Sequence, residues 1–192
     1  MTCLLVLPGW NGSGADHWQT RWPVLHGEQA RFVRVEQDDW TWPKRGDWMM
    51  RLDEALLADA ALLVQPAVLV AHSLGCHLVA AWAAHSQHTA RVRGALLVAP
   101  PDLDEPARLA ELPPQLQGWR SVVRQRLPFS ALVMASQNDP LSSLARSQQL
   151  AADWGAAFED LGKAGHVNVE SGHGDWPQGW SRLAQVQGQW GV

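Results

Sequence analysis

Short apolar runs alternate with longer amphipathic stretches along the chain. The runs have the length of strands, and they span residues 3–7, 32–35, 67–71, 94–99, 131–136 and 156–161. The stretches between them have helical spacing, and they span residues 15–25, 47–64, 74–85, 141–154 and 180–187. This alternation is typical of repeated βα units and predicts a parallel sheet with helices on both of its faces.

The pattern also bears on domain organisation. No internal repeat, linker or low-complexity tract interrupts the chain, so residues 1–192 are predicted to form a single domain. Asp47, directly before Trp48, is predicted to be the N-cap of the second helix. The segment 102–126 is proline-rich and irregular, which predicts a long surface excursion forming a rim over one edge of the sheet.

The strongest chemical signal is Ala71-His72-Ser73-Leu74-Gly75, between an apolar strand and a helix. A serine at such a turn is typical of a nucleophile elbow, whose usual pattern is G-x-S-x-G. Ala71 takes the first glycine position, where only a small side chain fits between strand and helix. On these five residues alone, a plain helix N-cap remains the alternative.

The ends of two later strands supply the residues that a serine nucleophile needs. Asp139 follows the fifth predicted strand and His166 follows the sixth, so both lie at the same sheet edge as Ser73. A serine hydroxyl needs a base to take its proton, and histidine has a suitable pKa. The carboxylate orients the imidazole. The order therefore predicts Ser73 as nucleophile, Asp139 as acid and His166 as base.

Other residues compete for these roles. Asp102 follows the fourth predicted strand and is the alternative to Asp139. His173 lies in a glycine-rich loop, where it either replaces His166 as base or lines a substrate pocket. His72 adjoins the serine, but neighbouring side chains diverge at such a turn, so it is predicted to pack behind the elbow.

The loop after the first strand, residues 7–14, is rich in glycine. In an enzyme with a serine nucleophile, such a loop directs a backbone N–H towards the oxyanion, and the residue after the nucleophile provides a second. Trp10 and Leu74 are the predicted donors, and an ordinary βα turn is the alternative. The glycines do not follow the dinucleotide-binding pattern, and no phosphate-binding lysine follows them.

Composition excludes several classes of function. The 192 residues carry a formal net charge of −4 and no basic block, which argues against nucleic-acid and anionic-membrane partners. The absence of tyrosine removes the usual proton donor of short-chain dehydrogenases. No cluster of residues has metal-ligand spacing, so neither a metal nor another cofactor is expected. The twelve tryptophans are expected mainly in packing, with a minority lining a pocket.

Two features indicate the compartment. The N-terminal apolar run lacks a basic region before it and stops at Pro8, so it does not resemble a signal peptide. The only two cysteines, Cys3 and Cys76, have no paired spacing. A cytoplasmic, disulfide-free protein is therefore expected.

Seven short blocks across the chain resemble the small α/β-hydrolases of the YdeN and retinoblastoma-binding protein 9 type. The blocks are Leu7-Pro8-Gly9-Trp10, Gln37-Asp38-Asp39-Trp40, Ala71-His72-Ser73-Leu74-Gly75, Ala99-Pro100-Pro101-Asp102, Asn138-Asp139-Pro140, Gly165-His166-Val167-Asn168 and Ser171-Gly172-His173-Gly174. The resemblance implies a minimal three-layer αβα fold without a large lid. It also implies six parallel strands in the order 2-1-3-4-5-6 and a triad of Ser73, Asp139 and His166.

The predicted activity is that of a serine hydrolase acting on small ester, thioester or amide substrates through an acyl-enzyme. A hydrolase-like module that mainly binds a partner is the alternative, although the sequence identifies no protein partner. Trp40 follows the second strand towards the same edge. It is predicted either to line the substrate pocket or to act as an aromatic plug that fixes its loop.

Overall fold

The computed structural model describes residues 1–105 and 112–190. Within them, six strands form one sheet in the order β2-β1-β3-β4-β5-β6, and every neighbouring pair is parallel. The strands are β1 Cys3–Leu7, β2 Arg31–Arg34, β3 Ala67–His72, β4 Val92–Val98, β5 Ser130–Ala135 and β6 Ala157–Asp160. The predicted parallel sheet and the order implied by the family resemblance are both confirmed.

Helices cover both faces of this sheet. The α-helices are α1 Trp18–His26, α2 Arg45–Leu57, α3 Leu74–His85, α4 Leu144–Trp154 and α5 Pro177–Gln187. Buried side chains of α2, α3 and α4 pack on one face, and those of α1 and α5 pack on the other. The result is the predicted three-layer arrangement, and the described residues include no large lid. None of the described helices combines the length and apolar character needed to cross a membrane.

Both predicted boundaries of the second helix are displaced in the structure. Lys44, and not Asp47, is the N-cap of α2, and Asp47 lies in the first turn, where its charge favours the helix dipole. The predicted helix 47–64 ends at Leu57, because the Asp59 carboxylate accepts a hydrogen bond from the Ala61 N–H (2.8 Å). That bond starts a separate 3₁₀ helix, Ala60–Leu63.

The predicted excursion over 102–126 is only partly described. Residues 106–111 lie outside the described residues. After them, a 3₁₀ helix spans Pro114–Trp119. Trp119 of this helix is buried, and its indole N–H donates to the Pro43 carbonyl at 2.8 Å. The excursion is therefore attached to the loop that follows β2.

Six tryptophans are fully buried, and each of their indole N–H groups donates to an oxygen in another segment. The pairs are Trp18 with the Val167 carbonyl, Trp22 with the Asp175 carbonyl, Trp48 with the Asp39 carbonyl, Trp82 with the Asp53 carboxylate, Trp119 with the Pro43 carbonyl and Trp154 with the Val123 carbonyl. Five of the six acceptors are backbone carbonyls. The buried indoles thus fill the core and also attach connecting segments to it.

Two buried histidines outside the strands have strongly lowered pKa values. His77 of α3 donates from Nε2 to the Pro101 carbonyl (2.7 Å), and burial lowers its pKa to about 4. His17 precedes α1, and burial together with the nearby His166 lowers its pKa to about 4. An unfolded histidine titrates near about 6.5. Between these values the unfolded chain binds more protons, so acid favours unfolding.

We expect the free energy of unfolding to fall by about 2 kcal/mol for each of these two histidines between pH 7 and pH 5. His77→Gln keeps a side-chain N–H donor and removes the titration, so it should reduce the fall by about that amount. Chemical denaturation of both proteins across this pH range measures the difference. Equal pH dependence in the two proteins would contradict the assignment.

Candidate active site

Ser73 is the single residue between β3 and α3. Its backbone has φ 55° and ψ −124°, a positive-φ conformation that costs a residue with a side chain about 1–3 kcal/mol. The Ser73 N–H donates to the Val98 carbonyl (2.9 Å), which holds the turn against β4. The hydroxyl makes no capping hydrogen bond to the described α3. The strained turn fits a nucleophile elbow better than a helix N-cap.

Two glycines allow the chain to pass closely around this turn. A Cβ atom at Gly75 would lie 2.4 Å from the Leu7 carbonyl oxygen, which no side chain tolerates. One at Gly9 would lie 2.8 Å from the Ser73 Cβ. Ala71, in the first glycine position of the motif, is completely buried. The end of β1, the loop after it and the start of α3 therefore pack backbone against backbone.

The structure brings Ser73, His166 and Asp139 into one line of hydrogen bonds. The distance from Ser73 Oγ to His166 Nε2 is 3.0 Å, and His166 Nδ1 lies 2.9 and 3.1 Å from the two Asp139 oxygens. Because carboxylate oxygens accept hydrogen bonds, the Nδ1–H of His166 donates a hydrogen bond to Asp139, and Nε2 is left to accept one from the serine hydroxyl. The Asp139 side chain is 2% exposed and that of His166 is 11% exposed.

Asp102 occupies a different place. Both of its oxygens accept from the Arg146 guanidinium, at 2.7 Å from Nε and 3.1 Å from Nη2. Burial opposes ionisation of this carboxyl, but the hydrogen bonds and charge of Arg146 outweigh it and lower the pKa below its usual value. The Asp102 N–H also donates to the Leu141 carbonyl (2.9 Å). The geometry thus joins Asp139, and not Asp102, to His166.

Two buried N–H donors hold the loop that carries His166. His72 Nε2 donates to the His166 carbonyl, and Trp18 Nε1 donates to the Val167 carbonyl, each at 2.9 Å. Burial lowers the pKa of His72 well below its usual value, so its ring is neutral and keeps this donor. Val167 has φ 50°, an uncommon conformation for a β-branched residue. Sequence reasoning placed His72 behind the elbow but did not identify the residue that it contacts.

Ser136 and Asn138 connect the loops of Asp139 and His166. The Ser136 hydroxyl donates to Asn138 Oδ1 at 2.7 Å and accepts from the Ala164 N–H at 2.9 Å. Asn138 Oδ1 also accepts from the Gly165 N–H at 2.8 Å. Sequence reasoning missed both residues. The signal for them was their position, because they are polar side chains at the carboxyl end of β5.

The loop after β1 is fixed by the loop after β2. The Asn11 N–H donates to the Trp40 carbonyl (3.0 Å), and the Trp10 indole donates to the Thr41 carbonyl (2.9 Å). Gly12 has φ 74° and donates its N–H to the Gly9 carbonyl (3.0 Å). Trp10 is thereby held beside Ser73.

Trp40 and His173, the two predicted substrate contacts, do not line the cavity beside Ser73. The Trp40 ring lies edge-on to Trp48 with centroids 5.4 Å apart, and the Arg34 guanidinium lies 5.3 Å from its centroid. These contacts fit the plug interpretation. The His173 ring lies edge-on to Trp176 at 6.1 Å.

A cavity of about 230 Å³ opens beside Ser73. Its lining is mostly apolar and comes from the segments that follow β1, β3, β4 and β5, including the 3₁₀ helix Pro114–Trp119. The lining residues are Trp10, Ser73, Leu74, Pro101, Asp102, Leu103, Leu112, Pro113, Leu116, Pro140 and Leu141. Such a concave apolar space next to a hydrogen-bonded serine and histidine is typical of a substrate site.

The chain matches a known protein family and resembles several solved structures. The serine hydrolase family model matches residues 4–185. A YdeN-like hydrolase from Pectobacterium atrosepticum is 28% identical, with a TM-score of 0.77 over 96% of this chain and 90% of that chain. No curated protein matches the chain by sequence.

Two further solved structures are less than 25% identical and show the fold alone. The ydeN gene product of B. subtilis is 21% identical, with a TM-score of 0.76 over 96% of this chain and 98% of that chain. MGS-MChE2 is an α/β hydrolase enzyme from a sediment metagenome of the Mar Chica lagoon in Morocco. It is 14% identical, with a TM-score of 0.69 over 97% of this chain and 90% of that chain.

The strain at Ser73 gives a test with a definite sign. Ser73→Gly and Ser73→Ala both remove the hydroxyl, but only alanine retains a Cβ at positive φ. We expect the glycine variant to have the higher free energy of unfolding, by about 1 kcal/mol. Thermal and urea denaturation compare the two. At an unstrained position glycine is less stable than alanine, and that order here would show that the turn is relaxed.

Proposed function

The chain belongs to the serine hydrolase family, and on this premise we propose that it cleaves small ester, thioester or amide substrates through an acyl-enzyme on Ser73. The observation that supports the proposal most directly is the line of hydrogen bonds from Ser73 Oγ through His166 to Asp139. A serine activated in this way attacks carbonyl carbons.

The proposed reaction has two halves. In the first, Ser73 Oγ attacks the substrate carbonyl carbon while His166 Nε2 takes the hydroxyl proton. His166 then gives that proton to the departing alcohol, thiol or amine, and the acyl group remains on Ser73. In the second half, water attacks the acyl-enzyme with His166 again as base, which releases the carboxylic acid and restores the serine. Asp139 stabilises the imidazolium in both halves.

The surroundings of His166 suit this proton transfer. The His72 ring lies 5.0 Å from the His166 ring, and the His17 ring lies 4.8 Å from that of His72. Burial lowers the pKa of both neighbours, so they stay neutral near neutral pH. A positive charge that forms transiently on His166 is therefore not repelled by either neighbouring ring.

We assign the oxyanion donors to the backbone N–H groups of Trp10 and Leu74. Leu74 is the first residue of α3, so its N–H has no acceptor within the helix and lies at the positive end of the helix dipole. Trp10 follows Gly9, which packs against the Ser73 side chain. A single donor of this kind typically contributes about 10²–10³ in turnover.

No step of the proposed mechanism uses a cofactor, and the proposed partner is a small-molecule substrate. We place the reaction in the cytoplasm, because Cys3 and Cys76 are both free and buried. Burial raises the pKa of the Cys76 thiol, which fits an unreactive core residue and leaves Ser73 as the nucleophile.

Labelling with a fluorophosphonate probe tests the nucleophile and the base without a known substrate. The wild-type protein is expected to react with one equivalent of probe, because His166 activates the hydroxyl of Ser73. Ser73→Ala and His166→Ala should each lose the label while melting as folded proteins. Folded wild-type protein that fails to react would contradict the proposal and favour a partner-binding role.

The identity of the carboxylate that orients His166 is tested by exchanging each candidate aspartate for asparagine. Asp139→Asn is expected to lower kcat/KM for p-nitrophenyl acetate by about 10³–10⁴-fold, because the amide no longer holds the required imidazole tautomer. Asp102→Asn leaves the His166 hydrogen bonds in place, so its decrease in kcat/KM should be at least tenfold smaller than that of Asp139→Asn. The assignment of Asp139 fails if Asp102→Asn is the more damaging change.

A further inference from the structure

We propose that the cavity beside Ser73 selects substrates whose acyl group is an uncharged, apolar chain of about six to eight carbons. This inference rests on the proposed function and deepens it, because it specifies the group that becomes attached to the serine. It follows from the position of the cavity, the charge of its wall and its volume.

The position of the cavity relative to the nucleophile follows from its lining. Ser73, Leu74 and Trp10 are among the lining residues, so the carbonyl carbon attacked by Ser73 lies at one end of the cavity. The remaining wall consists mainly of leucine and proline. A chain extending from that carbonyl along the wall loses contact with water and gains apolar contacts.

The described part of the wall also lacks a free charge. Asp102 is the only titratable residue among those described as lining the cavity. Its side chain is 1% exposed, and both carboxylate oxygens are taken by Arg146. An ammonium group on the substrate would have to displace this bidentate ion pair, and a carboxylate would meet a like charge. Either change is costly in a buried setting.

The volume limits the length of the chain. Liquid water occupies about 30 Å³ per molecule, and a methylene group is of similar size. The 230 Å³ of the cavity therefore holds about seven or eight such groups. Longer chains must extend beyond the described walls of the cavity.

Two described parts of the cavity wall are held in place. Leu116 belongs to the 3₁₀ helix Pro114–Trp119, which Trp119 anchors through the Pro43 carbonyl and through its ring contact with Trp48, 5.5 Å between centroids. On the other side, the Asp102 N–H donates to the Leu141 carbonyl and joins two walls of the cavity. Because the walls are braced, we expect a definite limit on chain length.

A series of p-nitrophenyl esters from acetate to dodecanoate tests this limit, since the leaving group stays constant. We expect kcat/KM to rise by about fourfold per methylene up to six to eight carbons and to stop rising beyond that length. A flat profile, or one that falls from acetate onwards, would overturn the proposal.

Esters with a charged acyl chain test whether the cavity wall excludes charged groups. Esters of 6-aminohexanoate and of adipate monoanion should react at least tenfold more slowly than the hexanoate ester. If the amino ester reacts as fast as hexanoate or faster, Asp102 recognises a cation and the proposal is wrong.

Leu116→Phe fills part of the cavity and should lower the ratio of octanoate to acetate kcat/KM at least tenfold. Leu141→Phe, at an exposed rim position, is a second variant for the case that Leu116→Phe does not fold. Leu63→Phe, on an exposed position outside the cavity lining, is the matched control and should keep the wild-type ratio. An unchanged ratio in both cavity variants would overturn the proposal.

Fluorophosphonate labelling of the same samples distinguishes a failure of the acyl-chain selectivity from a failure of the proposed hydrolase activity. Protein that labels but shows no chain-length preference has the proposed activity without this acyl selectivity. Protein that neither labels nor hydrolyses any ester of the series fails at the proposed function itself.

Discussion

At Gly75 the backbone of α3 passes so close to β1 that a Cβ atom would lie 2.4 Å from the Leu7 carbonyl oxygen. This contact sets the distance between the sheet and the first turn of the helix. Ser73 must bridge that short distance, and it does so with a positive φ. The hydroxyl is raised from the sheet edge as a result. The remaining groups of the site are then arranged around a serine whose position they do not determine.

The positions of His166 and Asp139 depend on hydrogen bonds between loops more than on the strands that precede them. Buried donors fix the carbonyls of the His166 loop, and Ser136 and Asn138 join that loop to the one carrying Asp139. A small movement of either loop would lengthen both bonds to the imidazole. Proteins with pre-arranged proton-transfer groups gain rate from such positioning, and here it is achieved with neutral side chains.

Local patterns were sufficient for the strands and for the residues at their carboxyl ends, since each strand is a short apolar run followed by polar residues. Helix ends were harder to predict, because Asp59 starts a separate 3₁₀ helix inside an unbroken apolar periodicity. The hydrogen bond from His72 to His166 joins residues 94 positions apart, and no local pattern contains such a contact. The same reason applies to Trp40, whose packing against Trp48 and Arg34 depends on how three segments meet.

The buried tryptophans have a consequence for how this protein can change over time. The Trp18 ring packs in the core, and its N–H donates to the Val167 carbonyl in the loop that carries His166. The Trp119 ring is also buried, and its N–H connects the cavity rim to the Pro43 carbonyl. A loop exchanged for one from a relative that does not place a carbonyl at the same point would leave the buried indole N–H without an acceptor, at a cost of about 1–3 kcal/mol. Loops and core are therefore inherited together, and new specificities should arise by single substitutions in the cavity wall sooner than by loop exchange.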